Sequence, residues 1–222
     1  MKPGETLIEH VSVSVPAAEV VLRGDLSMPS APGGVVLFAH GSGSSRFSPR
    51  NRSVAEVLNQ HSLATLLVDL LTAEEERDDE LNGHLRFNID LLNRRLVAIT
   101  DWLASPPRVG GLGIGLFGAS TGAAAALMTA AQRPNTVKAV VSRGGRPDLA
   151  GSTASLVLAP TLLIVGGKDT AVLQMNRDTM ALMKCKTELK IIPGATHLFE
   201  ERGALAQVAS LAADWFSAHL AG

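Results

Sequence analysis

The sequence predicts an α/β protein with a doubly wound, mostly parallel sheet of about eight strands, and three observations support that fold class. After residue 33 the chain contains six short, unbroken apolar runs, which are typical of strands covered on both faces. Amphipathic helical patterns separate these runs, as expected of alternating strands and helices. The first thirty residues instead alternate apolar and polar positions, which predicts an antiparallel hairpin at a sheet edge.

The predicted strands are, in chain order, the two arms of an N-terminal hairpin and six parallel strands. The N-terminal hairpin has a predicted turn near Pro16 and apolar positions in both arms, at Val11, Val13, Val15, Val20, Leu22 and Leu26. The six predicted parallel strands are the runs 33–41, 63–71, 112–120, 137–145, 159–169 and 187–195. In a sheet of this kind ligands bind at the carboxyl ends of the strands. The residues just past each run are therefore the candidates for function.

Helical patterns fill the spaces between the strands. The longest pattern is one apolar stripe of a single amphipathic helix, with spacings of three and four residues: Leu85, Ile89, Leu92, Leu96, Ile99 and Leu103. Shorter patterns predict further helices, at Val54, Val57 and Leu58 and at Leu205, Val208, Leu211, Trp215 and Phe216. The alanines 123–126 predict a buried helix packed close to the sheet. The acidic stretch 74–80 is interpreted as a solvated loop.

Composition limits the classes of function. A chain of 222 residues is long enough for one sizeable core, and we expect a single domain over residues 1–222. The 20 basic and 21 acidic residues nearly balance, which argues against a nucleic-acid partner. The single cysteine, Cys185, excludes an internal disulfide and a multi-cysteine metal site. The N-terminus has no secretion-signal pattern and no run is long enough for a membrane span, so we expect a cytoplasmic protein without a membrane partner.

The third parallel strand runs directly into the motif Gly118-Ala119-Ser120-Thr121-Gly122 and then into an alanine-rich helix. This G-x-S-x-G pattern at a strand-to-helix turn is typical of a nucleophile elbow, in which the serine has a strained backbone and an exposed hydroxyl. The motif alone is short, and a turn with a purely structural role is the alternative. The other candidate residues of the chain decide between a nucleophile elbow and a purely structural turn.

Two further residues complete a candidate catalytic triad. Asp169 follows the fifth parallel strand and His197 follows the sixth. A serine is a poor nucleophile without a base, and that base needs an orienting carboxylate. The chain order Ser120, Asp169, His197 is the one expected of a nucleophile elbow in a parallel sheet. Taken singly, Asp169 could cap the helix after it and His197 could be an ordinary loop histidine, but together they predict a triad.

Two backbone donors are expected to stabilise the oxyanion that forms on a substrate carbonyl. The first candidate is the N–H of Thr121, at the start of the helix after the elbow. The second is the N–H of Ser42, in the glycine-bearing loop after the first parallel strand. His40 lies in the same loop, and we interpret it as a structural residue that holds the loop.

The motifs HGSGSS, GASTG, GGKD and GATH together resemble the α/β-hydrolase superfamily, and within it the dienelactone-hydrolase-like branch of small enzymes. The resemblance covers nearly the whole chain and implies an α/β-hydrolase fold. The chain departs from the dienelactone hydrolases proper because Ser120 stands where they have a cysteine nucleophile. Gly41 stands near the place of their loop glutamate, and their substrate-binding arginines have no secure match here.

The resemblance and the triad together predict a serine carboxylesterase that cleaves small or short-chain esters through an acyl-enzyme, without metal or cofactor. Only residues 145–159 separate two of the strands, which leaves no room for a lid domain. Arg143 and Arg146 follow a strand end and are candidates for binding an anionic substrate group. A lactone hydrolase, dienelactone included, is the alternative enzyme, and a non-catalytic hydrolase-fold binding protein is the alternative of another class. The oligomeric state and the natural substrate are not predicted.

Overall fold

The protein is described by a computed structural model, which covers residues 7–105, 109 and 111–220. Residues 1–6, part of the segment that was compared with secretion signals, lie outside the described residues. All the candidate site residues named above lie within them.

The centre of the molecule is one eight-stranded sheet. Its strands are β1 (Ile8–Ala17), β2 (Val20–Pro29), β3 (Val35–Ala39), β4 (Ala64–Val68), β5 (Ile114–Ala119), β6 (Val137–Arg143), β7 (Thr161–Gly166) and β8 (Thr187–Ile192). The spatial order is β1-β2-β4-β3-β5-β6-β7-β8. Strands β3 to β8 pair in parallel, while β1 with β2 and β2 with β4 are antiparallel. The predicted fold class is confirmed.

Helices cover both faces of the sheet. They are α1 (Pro49–Gln60), α2 (Ala73–Asp79), α3 (Ile89–Ala104), α4 (Thr121–Gln132), α5 (Thr170–Leu182) and α6 (Ala204–Leu220), with a 3₁₀ segment at Pro147–Leu156. One core lies between the sheet and α3 with α4, and the other lies between the sheet and α1 with α6. Strands β3 to β7 are almost wholly buried, which explains their continuous apolar runs.

The hairpin turn lies later than predicted. Pro16 is paired with Val21 inside the hairpin, and the chain turns at Ala18 and Glu19 instead. Because β1 is an edge strand, the missing N–H of a proline costs no ladder hydrogen bond there. The predicted hairpin is therefore confirmed, with its turn shortly after Pro16.

The long amphipathic helix also begins later than its apolar stripe. The side chain of Asn88 accepts a hydrogen bond from the N–H of Leu91 at 3.0 Å and caps the helix, so α3 starts at Ile89. Leu85 still packs against the same core, but from the preceding loop. An apolar stripe thus indicates which side chains are buried and does not indicate where the helix begins.

The acidic stretch 74–80 is not the predicted loop. It forms most of α2, whose N-terminus has a capping box between Thr72 and Glu75. Glu75 also forms an ion pair with the buried side chain of Arg95. Asp79 is only 1% exposed and forms an ion pair with Arg86 at 2.6 Å. Part of the acidic run is therefore structural.

Candidate active site

Ser120 occupies the turn between β5 and α4, with φ of 49° and ψ of −121°. This positive φ confirms the strained backbone predicted for the elbow. A Cβ on Gly118 would lie 2.4 Å from the Cα of Ala123, and one on Gly122 would lie 2.2 Å from the carbonyl oxygen of Ala39. Any other residue at either position would force the elbow apart, so the two glycines permit the turn.

Three backbone hydrogen bonds hold Ser120 in this conformation. Its N–H donates to the carbonyl oxygen of Arg143 at 3.2 Å. Its own carbonyl oxygen accepts from the N–H groups of Ala123 at 3.1 Å and Arg146 at 3.0 Å. The strained residue is thus fixed by both the adjacent strand and the helix that follows, while its side chain remains half-buried at the sheet edge.

Asp169 and His197 form a close pair at the same edge. Nδ1 of His197 lies 2.6 Å from Oδ2 of Asp169, a distance typical of a charge-assisted hydrogen bond. Asp169 occupies the N-cap position of α5, yet its side chain makes no capping hydrogen bond. The carboxylate is directed to the imidazole, so capping does not account for this residue. A hydrogen bond from the N–H of Lys168 to the carbonyl oxygen of Ala195 at 2.9 Å joins the two loops.

The elbow and the Asp169–His197 pair meet beside Gly144. This glycine follows Arg143, which binds the N–H of Ser120 through its carbonyl oxygen. A Cβ on Gly144 would lie 3.6 Å from Cε1 of His197. The sheet therefore brings the three predicted residues to one edge. Within the described part of the chain, the hydroxyl of Ser120 makes no hydrogen bond to His197.

The loop after β3 lies directly across the elbow. A Cβ on Gly41 would be 3.0 Å from the Cβ of Ser120. His40 is buried; its Nδ1 lies 2.9 Å from the carbonyl oxygen of Gly41, and its Nε2 accepts from the N–H of Leu70 at 3.0 Å. Burial lowers the pKa of His40. Both ring nitrogens are engaged in holding the loop, which confirms the structural interpretation of His40.

The two predicted oxyanion donors are adjacent. The N–H of Ser42 donates to the side-chain hydroxyl of Thr121 at 2.9 Å. This contact places the loop after β3 against the first residue of α4. The N–H of Ser42 is thus occupied by a side chain in this structure, and its role as an oxyanion donor stays a prediction.

A cavity of about 310 Å³ opens on the other side of this loop. Residues 40–45 form one wall, and Glu76, Glu80 and Arg86 contribute charged groups to the opposite wall. Burial and the nearby Asp69 carboxylate raise the pKa of Glu76. Sequence reasoning missed these residues because the acidic stretch was interpreted as a solvated loop.

The two candidate arginines have different surroundings. Arg146 is half-exposed, and both arms of its guanidinium bind Asp148, at 2.9 and 2.8 Å. Arg143 is only 9% exposed and lies over the ring of Phe117, 5.8 Å from its centroid. Arg146 therefore has an internal partner for its charge. Of these two arginines, Arg143 is the one without a carboxylate partner among the described residues.

Two observations bear on metals and membranes. Within residues 7–105, 109 and 111–220, no three His, Cys, Asp or Glu side chains are grouped as metal ligands. In the same part of the chain, no helix is both long and apolar enough to cross a bilayer. Cys185 is a half-buried free thiol near the hydroxyls of Thr161 and Thr187.

The sheet order and the strained serine in the turn after β5 are those of the α/β-hydrolase class. Residues 29–220 match the model of the dienelactone hydrolase family. The chain belongs to the dienelactone hydrolase family.

Two solved structures are similar to this chain. A crystal structure of dienelactone hydrolase from Anabaena variabilis ATCC 29413 has 59% sequence identity and a TM-score of 0.94, covering 96% of this chain and 99% of that one. Est1E from Butyrivibrio proteoclasticus shares the fold at 17% identity, with a TM-score of 0.76 and coverage of 92% and 97%.

Curated relatives from two strains of Mycobacterium tuberculosis, CDC 1551 / Oshkosh and H37Rv, are 57% identical over 210 residues. Both carry the provisional name phosphoribosyl transferase. The match covers 95% of this chain but only 46% of each relative, so the chain spans about half of their length.

Proposed function

We propose that the protein is a serine carboxylesterase that hydrolyses small or short-chain esters through an acyl-enzyme. Ser120 attacks the ester carbonyl, His197 takes the proton of its hydroxyl, and Asp169 orients the imidazole. His197 then returns the proton to the leaving alcohol. Water, activated by the same histidine, attacks the acyl-enzyme, releases the acid and restores Ser120.

The observation that carries this proposal is the 2.6 Å contact between His197 and Asp169, beside the strained elbow of Ser120. The carboxylate accepts from Nδ1, which leaves Nε2 as the basic nitrogen for the serine. The contact between Ser120 and His197 need not be formed before substrate enters, since catalytic hydrogen bonds often tighten only in the complex. The N–H groups of Thr121 and Ser42 are proposed to receive the oxyanion.

Substrate size is inferred from the open site. The 3₁₀ segment between β6 and β7 packs on α4 and supplies no lid, and 38% of the His197 side chain is exposed. Ser120 lies at the sheet edge, and no long apolar tunnel for an acyl chain leads to it from the cavities found among the described residues. We therefore expect short acyl chains to be accepted better than long ones.

A fluorophosphonate probe tests the nucleophile directly. Folded wild-type protein is expected to form one covalent adduct, which mass spectrometry of peptides locates at Ser120. Ser120→Ala should form none, and Ser152→Ala is the matched control because Ser152 is an exposed serine of the 3₁₀ segment. An unlabelled wild type, or a labelled Ser120→Ala variant, would refute the assignment.

Two alternatives are separated by turnover. Membership of the dienelactone hydrolase family favours a lactone hydrolase as the second candidate function. Rates of hydrolysis of p-nitrophenyl acetate and of a set of lactones, measured side by side, distinguish a lactone hydrolase from an esterase. If wild type hydrolyses esters no faster than Ser120→Ala, the observed activity comes from elsewhere than the elbow, and a non-catalytic binding protein is favoured instead. The transferase name belongs to relatives of about twice this length, and the hydrolase fold of this chain offers no separate support for it.

A further inference from the structure

Asn176 is a fully buried amide in the middle of α5, two helical turns after Asp169. Its Nδ2 donates to the carbonyl oxygen of Val172, four residues earlier in the same helix, at 2.8 Å. The same Nδ2 donates to the carbonyl oxygen of Gly145 at 3.0 Å. In the described part of the chain, this is the only hydrogen bond between α5 and the loop after β6. Asn176 therefore connects that loop directly to α5.

The loop after β6 holds the proposed nucleophile. The N–H of Ser120 donates to the carbonyl oxygen of Arg143, and the carbonyl oxygen of Ser120 accepts from the N–H of Arg146 at 3.0 Å. Gly145 lies between these two arginines. It is packed against α4, because a Cβ on Gly145 would lie only 2.5 Å from the Cβ of Ala123. The position of Gly145 therefore determines where the elbow of Ser120 lies.

The first turn of α5 holds the Asp–His pair. The backbone carbonyl oxygen of Asp169 accepts from the N–H of Leu173 at 2.9 Å, which fixes this residue to the start of the helix. Its carboxylate lies 2.6 Å from Nδ1 of His197. A displacement of α5 would therefore displace the pair. Through Asn176, the helix that carries the proposed base and its carboxylate is bound to the loop that carries the nucleophile.

The side chain of Asn176 is only partly satisfied. Its Oδ1 is buried and has no hydrogen-bond partner among the described residues. The opposite orientation of the amide would direct Oδ1 at two carbonyl oxygens, so the partners of Nδ2 determine the orientation. The buried Asn59 of α1, by contrast, has partners for both polar atoms. Stability alone explains Asn176 poorly, because an apolar side chain of the same size has no unpaired acceptor to bury.

We propose that Asn176 is a positioning residue of the triad, which sets the distance between the hydroxyl of Ser120 and Nε2 of His197 by fixing Gly145 against α5. The two groups make no hydrogen bond with each other here, so their approach depends on how the elbow and α5 are held. A misplacement of about 1 Å can slow a reaction about 100-fold. The catalytic consequence rests on the proposed function, whereas the connection between α5 and the elbow does not.

Asn176→Leu removes the connection, and Asn59→Leu is the matched control. Asn59 is also a buried amide, and its Nδ2 donates to the carbonyl oxygen of Leu63 and to the hydroxyl of Thr65, at the amino end of β4 and far from the elbow. Each substitution removes two hydrogen bonds of one buried amide. A general loss of stability therefore affects both variants, while a loss of positioning affects only Asn176→Leu.

The burst of p-nitrophenol from p-nitrophenyl acetate measures acylation, at a temperature where every variant is folded. In Asn176→Leu the acylation rate at saturating ester should fall about tenfold or more, while the ester concentration for half-saturation should change by less than about twofold. Asn59→Leu should acylate as wild type does. Equal acylation by Asn176→Leu and wild type, or an equal loss in both asparagine variants, would overturn the positioning role.

Asn176→Thr separates the two hydrogen bonds of the amide and replaces Asn176→Leu if that variant does not fold. A threonine hydroxyl in a helix donates to the carbonyl oxygen four residues earlier, as Thr100 and Thr179 do in this protein. It would keep the bond to Val172, but it is too short to reach Gly145. Slow acylation by Asn176→Thr supports the positioning role, and acylation at the wild-type rate would overturn it.

Hydrogen exchange tests the connection without turnover. The N–H of Arg146, which donates to Ser120, should exchange about tenfold faster in Asn176→Leu and in Asn176→Thr than in Asn59→Leu. If exchange is equal in all of them, the connection is overturned whatever the activity. If wild type cleaves no ester and forms no fluorophosphonate adduct while Arg146 still exchanges faster in the Asn176 variants, the proposed esterase fails and the connection between α5 and the elbow stands.

Discussion

The N–H of Ser42 donates to the hydroxyl of Thr121 at 2.9 Å, across 79 residues of sequence. The contact joins the loop after β3 to the first residue of α4, directly beside the nucleophile. Both residues are proposed oxyanion donors, yet here one of them is bound to the side chain of the other. An entering ester carbonyl must therefore compete with the Thr121 hydroxyl for the N–H of Ser42.

Thr121→Val should increase kcat/KM for p-nitrophenyl acetate. Valine keeps the branched shape of threonine but cannot accept the hydrogen bond, so the N–H of Ser42 becomes free for substrate. A hydrogen bond of about 1 kcal/mol corresponds to roughly a fivefold gain. Thr121→Ser keeps the acceptor and is the control. A loss of activity in Thr121→Val that Thr121→Ser recovers would instead make the hydroxyl itself an oxyanion donor.

Asp169→Asn should reduce kcat by about 10⁴-fold with little change in folding, as for the orienting carboxylate of other serine triads. An amide in this place favours the wrong imidazole tautomer and cannot stabilise the imidazolium. Steady-state hydrolysis of p-nitrophenyl acetate measures the effect. Asp178→Asn is the matched control, since Asp178 is an exposed aspartate of the same helix that binds only Gln174. A kcat within tenfold of wild type would contradict the role of Asp169.

The parallel strands and the three triad candidates could be predicted because each depends on a local pattern. A strand buried on both faces leaves an unbroken apolar run, and the residue after such a run must lie at the carboxyl edge. Ser120, Asp169 and His197 were found in this way. The strained φ of Ser120 follows from the glycines on either side of it.

Other features depend on contacts between distant parts of the chain and leave no local pattern. The ion pair of Glu75 with Arg95 joins two helices that lie far apart in sequence. Arg143 and Arg146 look equivalent in sequence, but Asp148 binds Arg146, whereas Nη1 of Arg143 is buried without a hydrogen-bond partner in the described part of the chain. The contact of Ser42 with Thr121 likewise arises only when the sheet aligns two loops. Side-chain partners of this kind become visible only in the folded chain.

Acid should destabilise the fold through His40. Its folded-state pKa is lowered by burial from the usual 6.5, and its Nε2 accepts from the N–H of Leu70. The unfolded chain therefore takes up the proton first, so the contribution of neutral His40 is fully present above pH 6.5 and is lost as pH falls through the folded-state value. The melting temperature should begin to fall below pH 6.5, above the range in which most carboxylates titrate.

Melting curves from pH 7.5 to 5 for wild type and His40→Gln test whether His40 causes the loss of stability in acid. His84→Gln is the control, because His84 is an exposed histidine. The glutamine variant is expected to be less stable at neutral pH but to have a flatter dependence on pH. Equal slopes for wild type and His40→Gln would show that another group is responsible.

Arg143→Met should raise the melting temperature of the protein. Methionine is also long and unbranched, keeps contact with Phe117 and has no charge to bury without a partner. A gain of about 1 kcal/mol corresponds to roughly 2–4 °C in a chain of this size. Arg177→Met, a substitution of an exposed arginine of α5, should leave the melting temperature unchanged. If Arg143→Met melts lower than wild type, the guanidinium is stabilised within the fold and its burial carries no net cost.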